Sequence, residues 1–352
     1  MGRTFKQPLF FIIYLAVVGV ILLVLSEASV RIMKLAPPLT NRYGNMVPDP
    51  YLPFMPRPNS VISGRSRYDE FDYHVEINSV GLRDFERPYK KPEGIYRILG
   101  LGDSTTYGGA ASLEDSYLRR VERMLNERAG DHPGIEVIKA GIPRYYPEPE
   151  RMLLEHYGIR YEPDVITVGF GSSDVVDTLQ GLSAITIQET ENSESGEVPE
   201  IGRVGLLLYR HSQLARFVLD RYIKYKITRP TNWDEIYKPD GMYEKQWQEI
   251  EAEFSKISEI ANTIGARLVI LYIPDFTLFE RGEERHYPAQ RLRAWTARND
   301  VIFADVTPAL LTANETTTSP LYWARDRHHT PAGYKVIADT LYKALIANDL
   351  VP

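Results

Sequence analysis

The sequence predicts an α/β protein, a three-layer α/β/α sandwich around a central parallel five-stranded sheet, preceded by one N-terminal membrane helix. Three observations carry this. Between residues 96 and 347 short apolar runs alternate with stretches of helical periodicity. Polar clusters able to carry chemistry fall at the ends of those runs. The first 25 residues hold an unbroken uncharged stretch with basic residues in front of it. Strands alternating with helices pair in parallel through crossovers, and the crossover helices cover both faces of the sheet.

At the N-terminus, Arg3 and Lys6 precede the run Pro8 to Leu25, which ends at Ser26, Glu27 and Arg31. Such a run rises about 27 Å as a helix, close to a bilayer core of ~30 Å. Basic residues ahead of it predict a cytoplasmic N-terminus and a periplasmic or extracellular remainder. A cleaved signal peptide is the competing reading. Its apolar region is usually only ~7–15 residues, and Ser26-Glu27-Ala28 is a poor small-x-small cleavage site. The expectation is therefore an uncleaved, single-pass signal anchor over 1–34, with the lipid bilayer as partner.

Residues 35–65 carry Pro37, Pro38, Pro48, Pro50, Pro53, Pro56 and Pro58 among Asn and Ser, which predicts an extended stalk that then lies along the domain surface. Alternation from Tyr68 to Ile77 predicts a strand or hairpin edge, and Asn78-Ser79-Val80-Gly81-Leu82-Arg83 a turn. The extension thus occupies 35–94 and the main domain 95–352. Strands are expected over 96–101, 135–140, 165–170, 266–273 and 301–306. Helices are expected over 113–128, 147–158, 241–264 and 332–347. An insertion at about 178–240 interrupts this rhythm, with a mobile acidic loop from Gln188 to Glu200 and helix around 203–225.

Composition bounds the function. A net charge of −6 leaves no basic footprint, so nucleic acid is not an expected partner. The absence of cysteine removes disulfides, Cys-based metal sites and a thiol nucleophile.

Four polar clusters remain. Gly102-Asp103-Ser104-Thr105 follows the first strand of the alternating region, where a serine is exposed in a strand-to-helix turn beside amides that stabilise negative charge. Gly141 ends the next strand, and Gly171-Ser172-Ser173-Asp174 the third. Asp326-Arg327-His328-His329 precedes the closing helix, and a His beside an Asp can act as general base. Taken singly, each cluster also fits a turn or a helix cap. The paired histidines fit a metal site only poorly, since adjacent residues point apart, so no metal and no cofactor is expected. Asp103 and Asp174 are expected to hydrogen-bond loops. His74, His132, His156, His211 and His286 read as surface or packing residues. Tyr145-Tyr146 fits a sugar-stacking cleft less well than packing. Asn314-Glu315-Thr316 is a glycosylation triplet that matters only in a eukaryotic secretory pathway.

In order and spacing the four clusters resemble the SGNH (GDSL-like) hydrolase family, in its membrane-anchored bacterial type, over roughly 95–347. The resemblance implies a flavodoxin-like arrangement of the sheet, with Ser104 as nucleophile and Asp326 with a histidine as acid–base partner. It implies an oxyanion hole from the Ser104 and Gly141 amides and the third-block side chain. That block is normally G-x-N-D, and here Ser173 stands in place of the Asn. A serine donor is shorter and less preorganised, and loss of one such donor costs ~10²–10³ in rate. The last block satisfies D-x-x-H with His329, but Thr330-Pro331-Ala332-Gly333-Tyr334 aligns His328 with the family histidine, so His328 is the preferred base. Asn78 to Arg83 is similar to a segment upstream of the serine block in anchored relatives, and is expected to pack against the main domain.

The implied activity is a serine esterase or acyl hydrolase, with O-acetyl groups of envelope carbohydrate or another acyl ester as substrate. An O-acyltransferase using the same residues is the near alternative. A catalytically weak carbohydrate-binding or assembly protein is the distant one.

Overall fold

A computed structural model describes residues 6–36, 46–47, 49–66, 68–128, 130, 132–187, 202–226 and 233–352. Arg3, Pro37, Pro38, Pro48 and the expected acidic loop at 188–200 lie outside these residues. Helix α1 (Lys6–Ile32) contains an apolar stretch, Phe10–Ile32, of mean hydropathy 2.6, in which Phe10 to Leu25 are not buried in protein and Val30 is. Its 23 residues rise about 34 Å, enough to cross a bilayer. A membrane anchor and a signal sequence share this property.

After α1 the chain departs from the expected surface-lying stalk. β1 (Met46–Val47) pairs antiparallel with β2 (Met55–Pro56). Between them the Asp49 carboxylate accepts the amides of Tyr51 and Leu52. That turn buries Met46, Leu52, Phe54 and Met55 in the main core. Apolar side chains lie among the prolines, and their removal from water at about 25 cal/mol per Å² outweighs the extended habit of a Pro-rich segment. β3 (Val61–Arg65) and β4 (Asp72–Glu76) form an exposed hairpin whose second strand is the expected 68–77 edge. Asn78 Oδ1 accepts the amides of Val80, Gly81 and Leu82, which fixes the expected turn.

The alternating region follows as β5 (Ile95–Gly102), α2 (Ser104–Tyr107), α3 (Tyr117–Asn126), β6 (Gly134–Gly141), α4 (Pro147–His156), β7 (Val165–Phe170) and α5 (Ser172–Ile187). It continues with α6 (Gly202–His211), α7 (Gln213–Lys226), α8 (Glu244–Ile264), β8 (Arg267–Tyr272), α9 (Tyr287–Arg298), β9 (Ile302–Asp305), α10 (Thr307–Thr316) and α11 (Pro331–Ala347). The five strands form one parallel sheet in the order β6-β5-β7-β8-β9. The helix expected around 203–225 comes as two, α6 and α7, and α5 breaks at Gly181, whose φ is 72°.

Two-residue periodicity sends each strand's side chains to opposite faces. Leu99, Ile138, Ala140, Ile166, Val168, Leu268 and Ile270 pack under α4, α8 and α9, with Leu153, Trp247, Phe254 and Trp295. Ile98, Val137, Val165, Val269 and Leu271 pack under α3, α10 and α11, with Leu118, Leu310, Ile337 and Leu341. Because β5 has its next strand on one side and the third on the other, the direction in which strands are added reverses there. In an open parallel sheet the ligand crevice opens outside the carboxyl ends of the strands at such a point.

Candidate active site

β5 ends at Gly102, whose φ of 153° and packing both require glycine: a Cβ would lie 2.0 Å from Thr106 Oγ1. Asp103 then caps a single helical turn by accepting the Thr105 amide at 2.8 Å. Gly108, at φ 69°, closes that turn by donating its amide to the Ser104 carbonyl. Ser104 is therefore the first residue of α2, at the carboxyl edge of the strand where the topology switches. The expected helix at 113–128 is a separate one, α3.

The turn is buttressed from below. Arg83 donates to the carbonyls of Tyr107, Gly108 and Ala111, and Lys139 Nζ donates to the Tyr107 carbonyl at 2.6 Å. The Arg83 guanidinium thus faces the carbonyl end of α2, the favourable sign for a helix C-terminus. Burial lowers the Lys139 ammonium well below its usual range, with Arg83 adding to the effect and Asp84 opposing it. Arg83 serves as packing beneath the site, as expected of the 78–83 segment.

The loop before α11 supplies the histidine. The Trp323 amide donates to the His328 carbonyl, the Thr330 amide to the Leu321 carbonyl, and Arg327 sits at φ 71°. His328 Nε2 lies 2.9 Å from Ser104 Oγ, and Nδ1 lies 2.6 Å from Asp326 Oδ1. With the carboxylate accepting, Nδ1 carries the proton and Nε2 accepts from the serine hydroxyl. His329 points the other way. It is buried, its ring centroid is 4.3 Å from that of Tyr322, and Nε2 has no partner among the described residues. Burial first, and the neighbouring His328 second, push its pKa down to about 3.

Part of this geometry has no signal in the sequence. The Glu70 carboxylate, from the loop joining β3 to β4, accepts the amides of Arg325 at 2.9 Å and Asp326 at 2.7 Å. Phe71 packs on Trp323, and Trp323 Nε1 donates to the Ala110 carbonyl. The N-terminal extension therefore grips the loop that holds Asp326 and His328.

The other two blocks behave differently from one another. Gly141 ends β6 directly beneath α2, where a Cβ would be 2.4 Å from the Tyr107 amide nitrogen. Ser173 Oγ donates to Asp103 Oδ2 at 3.1 Å. Ser172 pairs with the Tyr237 hydroxyl, and Asp174 accepts the Gly171 amide. Asp103 and Asp174 thus bond loops, as their sequence context suggests. Burial raises both carboxyls above their usual range, and Glu150, buried nearby, is raised with them. Tyr145 and Tyr146 are buried, Tyr145 donating to the Phe54 carbonyl, so they pack rather than line an open cleft. No group of three or more acidic or His residues among the described residues is arranged to hold a metal ion.

A half-buried serine, paired with a histidine held by a carboxylate, is the arrangement that activates a hydroxyl for attack on an acyl carbon. The family model of the GDSL-like lipase/acylhydrolase family matches residues 101–336. Similar solved structures include TesA, at 12% identity and TM-score 0.44, covering 72% of this chain and 99% of that one. They also include Axe2, an acetylxylan esterase from Geobacillus stearothermophilus, at 16% identity and TM-score 0.44, covering 71% and 94%. No curated protein matches the chain. The match covers more than half of the sequence, and the chain belongs to the GDSL-like lipase/acylhydrolase family of serine carboxylic ester hydrolases.

Proposed function

We propose that Ser104, His328 and Asp326 form the catalytic triad of an envelope-facing esterase. The observation that carries this is the unbroken chain from the Ser104 hydroxyl through His328 to Asp326, at 2.9 and 2.6 Å. His328 takes the proton as Ser104 Oγ attacks the acyl carbonyl, and Asp326 stabilises the imidazolium. The imidazolium then protonates the departing alcohol. Water, deprotonated by His328, releases the acid from the acyl-enzyme.

The backbone amides of Ser104 and Gly141 are assigned to the developing oxyanion. Ser173 is assigned a lesser part, because its proton is directed at Asp103 and must rotate before it can donate elsewhere. That contact favours a second reading, a catalytically weak carbohydrate-binding or assembly protein.

We assign residues 1–34 to the cytoplasmic start and an uncleaved anchor, 35–94 to the N-terminal extension, and 95–352 to the hydrolase domain with its insertion at about 178–240. Retention of the anchor is supported by Glu27, which accepts from Ser212, Gln213 and Leu214 and so ties the end of α1 into the fold. The catalytic domain then faces the periplasm or cell exterior, where O-acetyl groups on polysaccharide, or lipid esters, supply acyl ester substrates.

Fluorophosphonate labelling and p-nitrophenyl acetate hydrolysis by the full chain in detergent test the assignment. Both are expected in the wild type and lost in Ser104→Ala and His328→Ala. Labelling without hydrolysis supports the O-acyltransferase alternative. Absence of labelling in the wild type refutes an activated Ser104.

A further inference from the structure

We propose that α6 and α7 lie on the membrane surface as an interfacial helix pair, docking the catalytic domain on the same bilayer that α1 crosses. The inference rests on α1 being membrane-inserted.

The first observation is attachment. Glu27 is the first charged residue after the run Pro8 to Leu25 and stands near the outer end of the membrane-crossing stretch. Its carboxylate accepts the Ser212 hydroxyl at 2.7 Å, the Gln213 amide at 2.9 Å and the Leu214 amide at 2.8 Å. Arg31, one turn on, pairs with Glu27 at 2.6 Å and donates to the His211 carbonyl. An acidic side chain bonding the first amides of a helix is the favourable sign for that terminus. The corner between α6 and α7 is thereby held at the end of the membrane-crossing stretch.

The second observation is an apolar face without a protein cover among the described residues. Val204, Leu207 and Leu208 recur at i, i+3 and i+4 on α6 and are 72%, 57% and 51% exposed. Val218 and Tyr222, one turn apart on α7, are exposed as well. The opposite side carries Tyr209 and Arg216, which are buried, Arg216 donating to the Tyr209 carbonyl. A soluble protein rarely leaves such paired apolar stripes in water.

The third is charge. In a chain of net −6, residues 202–226 hold, besides the buried Arg216, Arg203, Arg210, Arg221, Lys224 and Lys226 against the single acid Asp220. Apolar faces combined with basic residues suit a headgroup layer that contains anionic lipid. Continuity with α1 selects the bilayer over a protein partner as the occupant.

The chain contains no cysteine, so single-Cys variants of the full-length protein label uniquely. An environment-sensitive fluorophore is placed at Leu207→Cys and Val218→Cys, with Val20→Cys as the membrane control and Ser319→Cys as the aqueous one. Proteins are reconstituted into phosphatidylethanolamine/phosphatidylglycerol vesicles and quenched with lipid-bound nitroxide or with aqueous iodide. Expected are blue-shifted emission and nitroxide quenching at 207, 218 and 20, and iodide quenching at 319. Replacing phosphatidylglycerol by phosphatidylcholine should weaken nitroxide quenching at 207 and 218 but not at 20. Iodide quenching at 207 and 218 with nitroxide quenching at 20 overturns the docking and leaves the anchor standing. Iodide quenching at 20 overturns both. Protection of 207 and 218 from both quenchers means that a second copy or another protein covers them, which also overturns the inference.

Discussion

The two adjacent histidines separate chemistry from stability, and substituting each in turn should show it. His328 is about one-third exposed on its side chain, and its hydrogen-bonding groups reach Ser104 and Asp326. Truncation to alanine lets water take over those bonds, so His328→Ala should unfold within about 2 °C of the wild type. The rate should collapse, since a lost general base costs at least about 10²–10⁴ in kcat. His329 has the opposite profile. Its ring is buried between Tyr322 and Tyr334, and removing a ring of this size leaves a cavity costing ~2–4 kcal/mol. Against that, the wild type buries Nε2 without a partner, a penalty of ~1–3 kcal/mol that the alanine relieves. The net is about 1 kcal/mol, or roughly 2–4 °C in Tm for a domain of this size. His329→Ala should therefore keep kcat within a few-fold while its Tm falls. p-Nitrophenyl acetate kinetics and a thermal melt on the same samples read both. If His329→Ala loses as much rate as His328→Ala with an unchanged Tm, the reasoning from side-chain direction is wrong.

Three further outcomes follow from the same geometry. His329 titrates at about 3 when folded, against an ordinary histidine value of 6.5 when unfolded. Between those values the unfolded chain binds the extra proton, so this residue's contribution to stability is present above pH 6.5 and lost as pH falls. Compared with His329→Phe by urea unfolding, the wild type should lose about 1.4 kcal/mol per pH unit through pH 6 to 4, and a pH-independent difference would contradict this. Glu70→Ala removes the acceptor of the Arg325 and Asp326 amides, a charge-assisted contact worth ~1.5–3 kcal/mol. It should lower kcat about tenfold or more with KM little changed, and Glu70→Gln should recover part of the loss; wild-type kcat in both variants would remove Glu70 from any positioning role. Ser173→Asn restores a fixed amide donor and should raise kcat, with ~10²-fold as the upper bound, whereas Ser173→Ala should cost less than about tenfold. Equal rates in all three proteins would show that position 173 does not reach the oxyanion.

Local pattern was enough to read the strand–helix alternation, because two-residue and 3.6-residue periodicities are properties of neighbouring residues. Ile98-Leu99-Gly100-Leu101 announces a buried strand wherever it finally sits, and Gly102-Asp103-Ser104 announces the turn after it. The apolar run of α1 is legible for the same reason. Strand order is another matter, since β5 pairs with both β6 and β7 through contacts that no single segment encodes. Proline content likewise suggested a surface stalk, and the burial of Leu52 and Phe54 depended on a core contributed by distant elements. The partner of Ser104 also required the fold: consecutive residues in an extended loop face opposite ways, and the pairing of Tyr322 with His329 turns that ring inward and leaves His328 toward the serine. Glu70 lies about 255 residues from the amides it holds, and Ser173 about 70 from the carboxylate that takes its proton. Such contacts leave no periodic trace, because hydrogen bonds across the fold depend on where side chains meet in space and not on their spacing along the chain.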